Sequence, residues 1–258
     1  MSSIYNHSIL ELNNVTFEYP GNKEFIINLT FSMGDGEFIG LLGSNGSGKS
    51  TMLKLASGIL RPLNGQIKLW SKFLQSYSNK DRAKLLCYLP QVFDINVPFR
   101  VREIVSMGLY PYDIPPEIGV DDALKIVGLE EKSESYITNL SGGERRRAFI
   151  AMTLLQGAGI LLLDEPLANL DIKYRIELLR LLKELQKKKN ISIIMALHDI
   201  NLALQFEKVM LIKDGEILGF GDPEMVLTEG MLQEAFGVTF EIKKSQDDTM
   251  YISYENIM

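Results

Sequence analysis

The run Gly43-Ser44-Asn45-Gly46-Ser47-Gly48-Lys49-Ser50-Thr51 constrains this chain more than any other feature. An apolar stretch, Phe38 to Leu42, leads into it, and Lys49 to Gly58 follows with a helical pattern that Gly58 stops. Glycines in a strand-to-helix connection leave room for a ligand, so that backbone N–H groups can cradle phosphates. Lys49 is then placed to reach the β- and γ-phosphates of ATP and the Ser50 hydroxyl to bind Mg²⁺, while the helix that follows aims its positive end at the anion.

The 258 residues, 46% apolar and 23% charged, suit one ordinary globular domain with a subdomain inserted into it. Ile9 to Phe38 reads as strands: Leu10, Leu12, Val15 and Phe17 lead to a Pro20-Gly21 turn, then come Phe25 to Phe31 and a turn at Gly34-Asp35-Gly36. Past Pro90 the pattern turns helical over Val101 to Leu109, Val120 to Val127 and Glu144 to Leu155. Ile160 to Leu163 is apolar throughout, as a strand buried on both faces should be. Ile172, Ile176, Leu179 and Leu182 recur at helical spacing, Ile191 to Ala196 is another buried strand, and Asp199 to Phe206 reads as a helix. This alternation predicts an α/β fold, a parallel sheet flanked by helices, with an N-terminal antiparallel β subdomain. The nucleotide-binding core is expected over 1–90 and 158–237, an inserted α-helical subdomain over 91–157 and a short β-like tail over 238–258.

Several classes drop out. Cys87 is the sole cysteine, so no intrachain disulfide forms and a reducing compartment is expected; no Cys/His spacing of a zinc site is present. Met1 to Asn14 lacks the basic start and apolar block of a secretory leader. The longest uncharged run, Ala148 to Leu163, is interrupted by Thr153, Gln156, Gly157 and Gly159 and falls short of the roughly 20 apolar residues of a spanning helix. A membrane link would therefore go through a partner. The net charge of -6 argues against a nucleic-acid-binding surface, and Lys187 to Lys189 reads as a solvated helix end.

Asp164 and Glu165 follow the buried strand Ile160 to Leu163. Alone, two acids after a strand are more often a helix cap; beside a phosphate loop they suit metal binding and water activation. Leu140-Ser141-Gly142-Gly143-Glu144, followed by Arg145, Arg146 and Arg147, puts a capping serine and exposed N–H groups at a helix start, a second anion site. This segment resembles the signature motif of ATP-binding-cassette (ABC) proteins, a group of P-loop NTPases, and the other motifs of that family stand in its order from Leu10 to about Phe240. The resemblance implies that Asp164 ends a Walker B strand and holds Mg²⁺ through its water shell, while Glu165 orients or deprotonates the attacking water. Gln91 would complete the Mg²⁺ and water environment, His198 would touch the γ-phosphate and Tyr19 would stack on adenine. Ser141, Gly142, Gly143, Glu144 and Asp171 would act in trans on the nucleotide of a second copy. Taken alone, a histidine after a strand is usually structural and a tyrosine at position 19 is core packing. Two positions depart from the family pattern: Glu144 stands where many members carry glutamine, and Leu167 where a hydroxyl residue is common.

The family works as head-to-tail pairs, which implies a homodimer whose closing drives transport. Val101 to Tyr112, Leu197 to Ala203 and Gly221 to Thr228 resemble the ATPases of ferric-siderophore, haem and cobalamin importers. That class implies peripheral attachment to the cytoplasmic face of the cell membrane, contact with integral permease subunits through Gln91 and the 97–112 region, and only indirect dealings with a substrate-binding protein. Read from the residues, Met107, Tyr110 and Tyr112 form an apolar edge for a short partner helix or pack into the core. A zinc or manganese importer and a soluble cassette ATPase of cofactor assembly are the alternatives. No Asn-Lys-x-Asp motif for guanine and no coiled-coil insertion of the DNA-repair type is present.

Overall fold

A computed structural model describes residues 8–21, 24–91, 98–114, 116, 118–244 and 250–254. The chain divides into two compact units, 1–75 with 193–258 and 76–192.

The first unit opens with β1 (Ser8–Glu18) and β2 (Glu24–Gly34), an antiparallel pair. Leu10, Leu12, Val15 and Phe17 are all buried, although two residues, Asn13 and Asn14, rather than one separate Leu12 from Val15. A bulge absorbs the extra residue: Leu12 pairs with Phe31 and Val15 with Leu29. Within it Asn14 takes φ +49° and donates its N–H to Thr30 Oγ1 at 2.9 Å, so both apolar pairs stay on one face. Next come β3 (Phe38–Leu42), buried at every position, and α1 (Lys49–Ala56). Gly58, at φ +74°, turns the chain away from that helix. β4 (Asn64–Leu69) and β5 (Lys72–Phe73) complete a sheet of order β2-β1-β4-β5.

The second unit contains α2 (Asn79–Leu85), β6 (Leu86–Leu89), α3 (Val101–Ser106), α4 (Val120–Val127), α5 (Gly142–Gln156), β7 (Ile160–Leu163) and α6 (Ile172–Lys189). β6 and β7 run parallel, from Leu86 opposite Ile160 to Leu89 opposite Leu163. Cys87 on β6 is buried, and burial pushes its thiol up to about 12. Helix α5 buries Ala148, Phe149, Ile150, Ala151 and Leu155. A 3₁₀ turn over Met107–Leu109 lies against it so closely that a Cβ on Gly108 would meet the Met152 carbonyl oxygen at 2.3 Å. The expected apolar edge divides here. Met107 and Tyr110 face solvent, whereas Tyr112 folds in and donates its hydroxyl to Gln156 O at 2.9 Å. Val97, in the predicted permease-facing region, lies outside the described residues.

The chain returns to the first unit within β8 (Ser192–Ala196), whose Ile193–Ala196 portion pairs in parallel with β3. The helix expected over 199–206 is shorter: α7 spans Ile200–Ala203. Gln205 and Phe206 then bond back to Leu202 and Ala203, a tightening that carries the Phe206 ring against Phe38, 4.7 Å between centroids. β9 (Lys208–Lys213) lies parallel to β3 on its other side, and β10 (Glu216–Gly221) is antiparallel to β9. Two helices follow, α8 (Pro223–Val226) and α9 (Glu229–Phe236). The tail forms an antiparallel hairpin of β11 (Phe240–Lys244) and β12 (Met250–Tyr254). Among the described residues no helix is long and apolar enough to cross a membrane.

Candidate functional site

In the first unit β3 and β8 are parallel neighbours, so their carboxyl ends share one edge, the place where open α/β sheets bind ligands. The glycine loop leaves β3 and His198 leaves β8; Leu197 N–H donates to Leu41 O at 2.9 Å between the two strands. Space, as well as dihedral freedom, demands glycine in the loop. A Cβ on Gly43 would meet Ile212 O at 2.3 Å, and one on Gly48, at φ +110°, would meet Ile26 Cδ1 at 2.8 Å. Asn45 and Gly46 are exposed at the crown and Ser44 is half-buried, while Ser47, Lys49 and Thr51 are buried. Ser47 N–H donates to Ser44 O at 3.2 Å, and Ser47 O accepts from Gly215 N–H at 2.9 Å. The Gly215 carbonyl accepts in turn from Ile27 N–H at 3.1 Å, which bolts the loop to the β9–β10 turn and to β2. Lys49 Nζ donates to the loop carbonyls of Gly43 (2.8 Å) and Ser44 (3.1 Å).

Ser50 lies in the first turn of α1 and is half-buried. Tyr19 and Thr51 share a hydroxyl–hydroxyl hydrogen bond of 3.0 Å, and the Tyr19 ring stands edge-on to Phe17 and Phe25, with centroids 4.8 and 5.5 Å away. His198 is exposed, and Asp199 beside it caps α7 by accepting from Leu202 N–H at 3.0 Å.

The second unit repeats the arrangement with different residues. Pro90-Gln91 follow the end of β6 and Asp164-Glu165 the end of the adjacent parallel β7. Asp164 is buried; its N–H donates to Leu89 O at 2.9 Å and its carboxylate accepts from the Tyr88 hydroxyl at 3.0 Å. Glu165, also buried, accepts from Gln91 Nε2 at 2.5 Å and takes φ +48°, a conformation that costs a residue with a side chain about 1 kcal/mol or more.

Arg146 emerges from the structure as a residue of this cluster. It is 7% exposed, and its guanidinium donates to Pro90 O (2.9 Å) and Gln91 O (2.8 Å), tying α5 to the turn that carries Gln91. Burial pulls its pKa below the ordinary arginine value, with the Asp164 carboxylate opposing. The three successive arginines part company here: Arg145 is exposed, and Arg147 donates to Val127 O at 3.3 Å, at the end of α4. Helical spacing does carry a signal for this, because Arg146 shares a face with the buried Gly143, Phe149 and Ile150.

At the start of α5, Ser141 Oγ accepts from Glu144 N–H (3.3 Å) and Glu144 Oε2 accepts from Ser141 N–H (2.9 Å), a reciprocal capping box. That backbone N–H holds the Glu144 carboxyl below the usual glutamate range, and Lys132 and Arg147 add to the effect. A Cβ on Gly142 would make only an ordinary contact, with Leu170 Cδ2 at 3.7 Å, but one on Gly143 would meet the Tyr174 ring at 3.0 Å. Asp171 stands exposed at the N-cap of α6. The turn before it closes on backbone bonds, Ala168 N–H to Glu165 O (3.1 Å) and Leu170 N–H to Leu167 O (3.4 Å), so the buried Leu167 needs no hydroxyl there. Among the described residues no cluster of three or more His, Cys, Asp or Glu could form a protein-only metal cage.

The profile of the ABC transporter family matches residues 26–168, from β2 to the turn after Glu165. The chain belongs to that family. This ABC protein is 38% identical over 232 residues to the petrobactin import ATP-binding protein FpuC of Bacillus anthracis, covering 87% of this chain and 85% of the relative. It is 34% identical over 219 residues to the ferric enterobactin transport ATP-binding protein FepC of Escherichia coli (strain K12), covering 82% and 81%. Among solved structures it is similar to the dimeric post-hydrolysis state of the ATP-binding cassette MJ0796 bound to ADP and Pi, with 26% identity, a TM-score of 0.72 and coverage of 83% and 98%. The chain is accordingly an ATP-binding ATPase subunit with the P-loop α/β fold and antiparallel N-terminal sheet that its sequence predicts.

Proposed function

We propose that this ABC ATPase powers a membrane importer for an iron(III) chelate of the siderophore or haem type. The observation that carries the reading is the pair of strand-end clusters, a glycine cradle with His198 and an acid pair with Gln91, in a chain related to petrobactin and ferric enterobactin import ATPases.

In this reading Gly43 to Thr51 wraps the phosphates of ATP, with Lys49 against the β- and γ-phosphates and Tyr19 against adenine. Ser47 supports it: its buried hydroxyl has no hydrogen-bond partner among the described residues, a cost of about 1–3 kcal/mol that a phosphate oxygen would relieve. Ser50, Asp164 and Gln91 would hold Mg²⁺, a hard cation suited to oxygen donors, phosphates included. When bound, it neutralises charge on the β- and γ-oxygens. Glu165, restrained by Gln91, orients or deprotonates the attacking water, and His198 steadies the γ-phosphate. The box-capped start of α5 presents Ser141, Gly142, Gly143 and Glu144, with Asp171, to the nucleotide of a second copy in a head-to-tail homodimer. The nucleotide core is 1–90 with 158–237, the helical subdomain 91–157 and the tail 238–258.

The protein sits peripherally at the cytoplasmic membrane face, and Gln91 with the 97–112 region meets the permease, where Tyr110 is 79% exposed. The permease, not this chain, meets the substrate-binding protein, and nucleic acid has no part. Coexpression with the multispanning proteins of its own genetic neighbourhood tests the reading. Detergent copurification and ATP-dependent uptake of a labelled ferric siderophore are expected; a subunit that binds no permease would overturn it.

A further inference from the structure

Two features lack an explanation so far: Asn201 within the importer-like segment Leu197 to Ala203, and the tail hairpin β11–β12. Each accounts for the other. Asn201 Nδ2 donates to Ile252 O at 2.9 Å and Ile252 N–H donates to Asn201 Oδ1 at 2.7 Å, so one carboxamide satisfies both backbone groups of one residue on β12. Ile252 stands directly opposite Ile242, whose N–H donates to the Glu229 carboxylate at 2.9 Å. The hairpin is therefore fastened along both outer edges, by Asn201 of α7 and Glu229 of α9. Phe240 and Ile252 are each 5% exposed, and Phe240 meets Phe236 edge-on at 5.9 Å.

We propose that hairpin β11–β12 is a positioning element for His198 and that Asn201 transmits its hold. The inference rests on the γ-phosphate role proposed for His198. Helix α7 is a four-residue turn, far too short to persist by its own hydrogen bonds. Asp199 caps its front and Asn201 pins its side, and His198 immediately precedes the cap. A two-stranded hairpin is itself marginal without packing, so tail and turn order one another. Losing the clamp frees α7, and with it the histidine, while the glycine loop keeps its separate fastening through Gly215.

The test uses the full chain under single-turnover conditions, with Asn201→Ala and, as an independent way to loosen the hairpin, Glu229→Ala. Each should lower the hydrolysis rate, Asn201→Ala by about tenfold, with ATP affinity within about twofold of the parent, because misplacement rather than binding is affected. Hydrogen exchange should quicken at 199–206 and 250–254 and stay unchanged at 43–51. In a His198→Ala background neither substitution should slow the reaction further. An unchanged rate in Asn201→Ala despite faster exchange overturns the proposal, as does an equal fractional loss in the His198→Ala background, the mark of general destabilisation. Normal hydrolysis by His198→Ala alone would instead remove the histidine reading, a separate failure.

Discussion

In the first unit the loop after β3 is shaped by backbone: carbonyls of Ile212 and Ser44 and the N–H of Gly215 surround it, and a single methyl at Gly43 would collide with main chain. In the second unit side chains join the backbone bonds in fastening the turns after β6 and β7: Arg146 holds Pro90 and Gln91, Tyr88 holds Asp164, and Gln91 holds Glu165. A cradle made of main chain offers a fixed shape and, at Gly43 and Gly48, no room for an added atom. A cluster made of side chains can be adjusted group by group.

Substitutions can break or sharpen this contrast. Glu165→Gln keeps the shape of its cluster and removes only the basic oxygen, so turnover should fall by about 10²–10⁴-fold while ATP affinity holds; steady-state rates beside equilibrium nucleotide binding check this. Gly43→Ala should act oppositely, weakening ATP binding by about two orders of magnitude with the fold intact by circular dichroism, since main chain must shift. If Gly43→Ala bound ATP normally, the idea of a cradle fixed by main chain would fail. Arg146→Met should reduce turnover about tenfold and stability by about 2 kcal/mol, through two carbonyls left without a donor. Denaturant midpoints and rates report both, and Arg146→Lys should recover only part, because an ammonium cannot reproduce the two-pronged contact. Tyr88→Phe removes one hydroxyl from Asp164 and should change turnover by no more than about threefold. A larger loss there would make the second cluster as rigid as the first.

The sequence made the first cluster legible because glycine spacing and a doubly buried strand are local signals, and α1 begins at Lys49 as the pattern requires. The acid pair was legible as residues but not as geometry. Neither the left-handed backbone of Glu165 nor its bond to Gln91, 74 positions away, follows from local pattern. Of three adjacent arginines, helical spacing puts Arg146 on the face of Phe149 and Ile150, but its partners, the Pro90 and Gln91 carbonyls more than 50 positions away, do not follow from local pattern. The helix over 199–206 was overextended for a similar reason. Its apolar spacing is genuine, but Phe206 is claimed by Phe38 in the sheet rather than by a continuing helix.

The link from Ser47 through Gly215 to Ile27 has a practical consequence for engineering. Asp214 is exposed at the tip of a tight hairpin, which makes the site look like spare chain where an epitope or reporter could be spliced in. Gly215 beside it is fully committed, with both backbone groups bonded and the Phe25 carbonyl oxygen 2.0 Å from where a Cβ would sit. An insertion scan should find that lengthening the chain at that tip abolishes nucleotide binding, although the turn is exposed.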